Sequence, residues 1–234
     1  RGHYAIDDQG EPAARVVLVE DGKLRGFLES RSPVHGAQGN GHGRRQPGMD
    51  PVARQGNLLV ESSRAVSDEE LRARLVALAK EQGLPYGLLV DDLEGGFTFT
   101  DRDLPNAFQI DVRTARRVFV DGRSDQLVRG VDLIGTPLQT FSRIVATGDR
   151  PSVFNGTCGA ESGWVPVSAA APPMLFSQVE SQRKMKGQTP PPPAYTAVAA
   201  SASSTPPPPK ELSESEKREL ELKTELALVR YAAS

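Results

Sequence analysis

Through most of residues 1 to 180 the apolar positions come in short runs with a period near two, the pattern of strands with one buried face. Two stretches repeat one arrangement: Val16-Val17-Leu18-Val19-Glu20-Asp21-Gly22 followed by Leu24 to Leu28, and Val118-Phe119-Val120-Asp121-Gly122 followed by Leu127 to Ile134. Each reads as a hairpin, because Asp-Gly supplies the positive φ of a tight turn and the β-branched flanks suit strands. Further short strands are predicted at Tyr86 to Val90, Phe97 to Thr100 and Phe108 to Val112. A helical period interrupts them once. Ser67-Asp68-Glu69-Glu70 forms a capping box, Leu71, Leu75 and Leu78 recur on one face, and Gly83 then Pro85 end the helix. The stripe predicts a core contact with the sheet and no site.

Residues 31 to 57 break the pattern, being rich in Gly, Asn, Arg and His, with Gly39-Asn40-Gly41-His42-Gly43-Arg44-Arg45 at the centre. A long loop of this kind inside a compact domain is functional or disordered. Its glycines allow close backbone approach to a ligand, and its arginines suit a peptide carboxylate or carbonyls. As a phosphate cradle it lacks the strand-to-helix context and lysine of a Walker motif. Beyond Lys186 the composition changes. Pro190 to Pro193, an Ala/Ser run and Pro206 to Pro209 read as a polyproline-type spacer, in which Pro192-Pro193-Ala194-Tyr195 also fits the short PPxY pattern. From Lys210 a second capping box, Ser213 to Glu216, opens a predicted charged helix with a narrow stripe of Leu220, Leu222, Leu226 and Val229. The expected organisation is a β-rich domain over 1–186, a linker over 187–209 and a helical tail over 210–234. The fold class is α+β, predominantly antiparallel and barrel- or sandwich-like, with one packed helix.

The chain has 234 residues and a formal net charge of -2, so it carries no basic excess for nucleic acid. No apolar stretch approaches a membrane span and no secretory signal opens the chain, which reads as soluble and cytoplasmic. It starts at Arg1 within a structured-looking segment and without methionine, which predicts further residues upstream.

Candidate chemistry centres on Cys158, the single cysteine, in Asn155-Gly156-Thr157-Cys158-Gly159. The glycines predict a tight turn that holds the thiol in the open. A lone thiol serves as a metal ligand, as a nucleophile, or for neither. The three histidines, His3, His35 and His42, lack the spacing of helix-borne metal ligands, and one cysteine is not a zinc site.

Several landmarks recur in one order: Gly2-His3-Tyr4-Ala5-Ile6-Asp7-Asp8-Gln9-Gly10, the first Asp-Gly hairpin ending in Gly26-Phe27-Leu28, Gly39-Asn40-Gly41 with Arg44-Arg45, and Arg54 with Asn57. Gly95-Gly96, Val128-Arg129-Gly130, Leu133-Ile134-Gly135 and Cys158-Gly159 before Val165-Pro166-Val167 follow. Together, over roughly Arg1 to Phe176, the chain resembles the C-terminal domain of the TldD/PmbA family, once called modulators of DNA gyrase. The resemblance implies a zinc metallopeptidase in which an upstream HExxxH helix supplies two histidine ligands and Cys158 matches the third. It implies activation of a zinc-bound water, with the glutamate of that upstream motif as general base. It further implies unfolded-peptide substrates, pairing with a homologous subunit, and a β-rich domain forming the floor of a peptide channel. Asn40, Gly41, His42, Arg44 and Arg45 are candidates to line that channel.

Three other readings stay open. One is a non-catalytic scaffold subunit of the same family. Another is a cysteine hydrolase pairing Cys158 with His42 or His35. The last is an interaction protein whose tail recruits a partner. On the leading reading the isolated 234-residue chain hydrolyses no peptide and binds zinc weakly.

Overall fold

The computed structural model describes residues 1–32, 38–99 and 106–184 and the backbone of a strand at Thr224–Val229. In chain order its strands are β1 (Val19–Glu20), β2 (Lys23–Leu24), β3 (Gly43–Arg44), β4 (Val52–Ala53), β5 (Asn57–Leu59) and β6 (Ala65–Val66). Helix α1 (Asp68–Glu81) follows, then β7 (Tyr86–Phe99), β8 (Ala107–Phe119), β9 (Gln126–Val128) and β10 (Val131–Gly135). A short α2 (Pro137–Phe141) precedes β11 (Ile144–Gly148), β12 (Ser152–Ala160), β13 (Gly163–Ala171), β14 (Met174–Arg183) and β15 (Thr224–Val229). Strands dominate and most pairings are antiparallel, so the class is the α+β one that the period-two runs predict. The described residues fall into two compact units, 1–32 and 38–65 with 148–173, and 66–99 and 106–147 with 174–184 and 224–229.

In the second unit the strands run β10-β8-β7-β15-β14-β11-β6, with β9 beside β8. β10 also pairs with β14, from Val131 opposite Arg183 to Ile134 opposite Glu180, so the sheet bends back on itself. It is a mixed, folded-back sheet rather than a regular closed barrel. β7 is buried on both faces at Gly87 to Val90, and each face has its own core. Leu89, Val118 and Leu175 pack with Leu71, Leu75 and Ala79 of α1. Leu88, Val90, Val112, Ala115, Leu133, Phe176 and Val179 form the second cluster. A fully buried leucine contributes about 2 kcal/mol, so the pair Leu71 and Leu75, both at 0% exposure, explains why α1 docks there. The Ser67 half of the expected capping box forms, with Ser67 Oγ accepting from the Glu70 N–H at 3.2 Å, the first turn is acidic, and the Glu70 carboxylate pairs with Arg74.

The short strands expected at Tyr86 to Val90 and Phe97 to Thr100 are joined in one continuous strand, β7, from Tyr86 to Phe99, carried through Gly95-Gly96 by register shifts between Val90 and Gly95, while Thr100 lies outside the described residues. Burial drives Asp132 above the usual carboxylate range, against the pull of Lys184, whose Nζ lies 3.3 Å from Asp132 Oδ1. A second difference concerns the tail. Of the helix expected from Lys210, only residues 224–229 are described, and they form strand β15. Their backbone pairs with β7 on one side and β14 on the other. Two ladders outweigh the modest helix preference of Glu, Leu and Ala.

In the first unit β1 and β2 form the first Asp-Gly hairpin, with Asp21 at φ 51° and Gly22 at φ 74°. β12 and β13 make a hairpin from Ser152 opposite Ala171 to Ala160 opposite Gly163. β5 joins it in parallel, with Asn57 opposite Ser168. β3 pairs with β4 within the described part of the Gly- and Arg-rich stretch, Gly43 opposite Ala53 and Arg44 opposite Val52. Among the described residues no helix is long and apolar enough to cross a membrane.

Candidate metal-ligand hairpin

Cys158 lies within β12 opposite Val165 of β13, not in the tight turn its glycines predict. The turn falls later, at residues 161 and 162. The glycines serve a different purpose. A Cβ on Gly156 would meet the Phe154 ring, and one on Gly159 would lie 3.1 Å from Trp164 ring carbons, so each leaves room for an aromatic side chain on the strand surface. Because directly paired residues of an antiparallel ladder share a face, Cys158 shares its face with Val165, which is buried, as is Val167 opposite Gly156. The thiol is accordingly half-buried.

Buried Arg54 fixes this hairpin. Its Nη2 donates to the Cys158 carbonyl oxygen at 2.6 Å, and its Nη1 donates to Ser162 Oγ at 2.8 Å and to the Gly163 carbonyl at 3.0 Å. Ser162 is fully buried. Arg54 enters from the chain just after β4, and its own N–H donates to the His42 carbonyl. Buried Arg44 does the same for the next residues along: Nη1 donates to the Gln55 and Pro166 carbonyls, both at 2.8 Å. Its guanidinium also lies 4.6 Å from the centre of the Tyr4 ring, whose hydroxyl donates to the Gly41 carbonyl. Burial raises the Tyr4 pKa above its ordinary value, opposed by Arg44 and reinforced by Asp7 and Asp8.

The remaining candidates spread around this frame. Asn40 ties the loop down, its Oδ1 accepting from the Glu29 N–H and its Nδ2 donating to the Phe27 carbonyl. His42 is buried, and its Nδ1 faces the Asn40 carbonyl at 3.0 Å and Asn40 Oδ1 at 2.9 Å, two acceptors that place the proton on Nδ1. Gly41 has φ 76°, and a Cβ there would lie 2.1 Å from the Pro12 carbonyl oxygen. Arg45 is exposed, with its N–H held by Asp8 and its Nη1 donating to the Met49 carbonyl. Thus Arg44 is spent on the fold, while Arg45 presents its guanidinium at the surface. His35 lies outside the described residues.

Two contributors carried no chemical signal in the sequence. Asp7 is buried, accepting from the Gln9 and Glu11 N–H groups through Oδ1 and from the Gly43 N–H through Oδ2. Arg54 stood out only as a landmark, because its partners lie more than 100 residues away.

Among the described residues no three His, Cys, Asp or Glu side chains come together as a metal site. Cys158 supplies one donor, where zinc takes three or four from protein. The described residues do not by themselves fit a zinc ion.

Residues 1–183 match the PmbA/TldA metallopeptidase C-terminal domain, and the chain belongs to that family. A metalloprotease TldD homolog of Haemophilus influenzae is 28% identical over 188 residues, which cover 76% of this chain and 35% of that protein. A metalloprotease of Archaeoglobus fulgidus is 29% identical over 175 residues, covering 74% of this chain and 38% of that protein. The chain spans 35% to 38% of the length of these relatives.

Proposed function

We propose that this chain supplies Cys158 as one thiolate ligand to a catalytic zinc whose other donors lie in a longer protein, and that it forms part of a channel for unfolded peptides. The single observation that carries this reading is the placement of the chain's sole thiol on a hairpin clamped by a buried arginine, within a domain of a metallopeptidase family. Metal ligands must be held to within about half an ångström, and a donor on a paired strand with its carbonyl fixed meets that demand better than one on a free loop. Thiolate and imidazole donors together favour zinc.

On this reading the exposed Arg45 guanidinium meets peptide carbonyls or a terminal carboxylate, while Asn40, Gly41, His42 and Arg44 shape the wall behind it. A homologous subunit completes the chamber. The test is the longest natural form of the protein, wild type against Cys158→Ala, assayed for bound zinc and for hydrolysis of an unfolded peptide. Loss of both with an unchanged circular dichroism spectrum supports the reading. Full zinc and activity in the variant exclude Cys158 as a ligand. Absence of zinc and activity from both forms points to the scaffold subunit.

A further inference from the structure

The main sheet of the second unit contains a strand whose attachment is far longer than its position requires. β15 lies between β7 and β14, with Ala227, Leu228 and Val229 parallel to Leu88, Leu89 and Val90. On its other side Thr224 pairs with Glu180 and Val229 with Met174, antiparallel. Thr224 is therefore level with Glu180, only three residues from Arg183, where β14 ends. An antiparallel pair in that position closes with a connection of about 2–5 residues. Residues 185–223 are several times that number, and their sequence is dominated by Pro190 to Pro193, an Ala/Ser run and Pro206 to Pro209.

The slot that β15 fills cannot stand empty without cost. Its walls are Leu88, Leu89 and Val90 on one side and Leu175 and Phe176 on the other, all buried. Without a strand between them, both walls expose a row of unpaired N–H and C=O groups, which pair with another strand. The slot therefore demands an extended segment but does not dictate which copy provides it. Closure entropy rises only slowly with loop length, so the long connection still allows the strand to fold back on its own chain. It also dilutes that strand to an effective concentration of about a millimolar or less, within reach of competition from outside.

We propose that the slot between β7 and β14 is a strand acceptor that also takes residues 224–229 of a second copy of this chain, giving a strand-exchanged dimer. The exchanged strand makes the same backbone bonds as the resident one, so the balance is set by concentration and connection length rather than by new contacts. This holds whether or not Cys158 binds a metal.

The test uses two full-length 234-residue chains carrying different tags, mixed at about 0.1 mM and recovered through one tag. Three additions decide the outcome: a synthetic peptide of residues 222–231, a variant lacking residues 190–219, and Leu228→Pro, which removes a ladder N–H. The expected result is a mixed-tag complex whose yield rises with concentration. A tenfold excess of peptide lowers that yield at least fivefold, and the shortened connection, which favours self-closure, lowers it equally. Should Leu228→Pro not fold, the peptide and the shortened chain decide alone. A mixed-tag complex indifferent to both overturns the proposal, as does failure of any mixed-tag complex to form.

Discussion

The Arg54 guanidinium holds the backbone of Cys158, donating to its carbonyl oxygen at 2.6 Å while gripping Ser162 and Gly163 across the turn that follows. The contact leaves the thiol itself unencumbered. A charged group thus serves as a brace for the strand that presents the sulfur, and its cost of burial is met by three oxygen acceptors.

Arg54→Ala removes that brace and leaves the fully buried Ser162 hydroxyl and two carbonyls without their donor. The expected loss is about 3 kcal/mol, seen as a lower urea midpoint for the first unit. Arg54→Lys recovers less than half of it, because an ammonium cannot match the planar fork that reaches Cys158 and Ser162 together.

Gly41→Ala meets two obstacles, a φ of 76° and a Cβ 2.1 Å from the Pro12 carbonyl oxygen. Gly10→Ala has a similar φ of 87° but open space around the Cβ. The first change costs at least about 2 kcal/mol and the second about 1, and parallel urea titrations separate steric clash from backbone strain.

Asp132 gives the stability a defined pH dependence. Its folded pKa is raised by burial, so the folded state holds the proton more tightly than the unfolded chain. Its contribution is fully present below the unfolded carboxylate value of about 4 and is lost as the pH rises through the raised folded value. Wild type and Asp132→Asn should therefore have their most favourable difference for wild type at low pH, and wild type should lose ground to the variant between there and neutrality. A difference moving the other way would mean that Lys184 outweighs desolvation.

Ser67→Ala removes the acceptor of the Glu70 N–H at the start of α1. Thermal unfolding should show a loss of about 1 kcal/mol, partly restored by Ser67→Asp.

What the sequence disclosed and what it withheld divide by range. The Ser67 capping box and the Asp21-Gly22 turn are written in adjacent residues and depend on little else, so they could be read directly. The glycines at 156 and 159 suggest a turn in the sequence because their partners, the Phe154 and Trp164 rings, are recognisable only once strand pairing is known. Arg44 looks like a ligand-binding group in a polar stretch and Arg54 like a bare landmark, yet both are buried and donate to carbonyls of residues 158–166. The strand at 224–229 was hidden for the same reason. Its helix-compatible residues take extended form only beside β7 and β14. Cys158 is legible as a candidate because it is the single cysteine, and as a candidate metal ligand through the family landmarks, whereas its half-buried setting is not.

The most direct test of the central claim is cobalt substitution in the longest natural form of the protein, followed in the near ultraviolet where a thiolate-to-cobalt charge-transfer band appears. Wild type should bind one cobalt per chain and show the band, and Cys158→Ser should lose it while keeping its fold. An undiminished band, or cobalt bound without any thiolate signature in wild type, would contradict the assignment of Cys158 as a metal ligand.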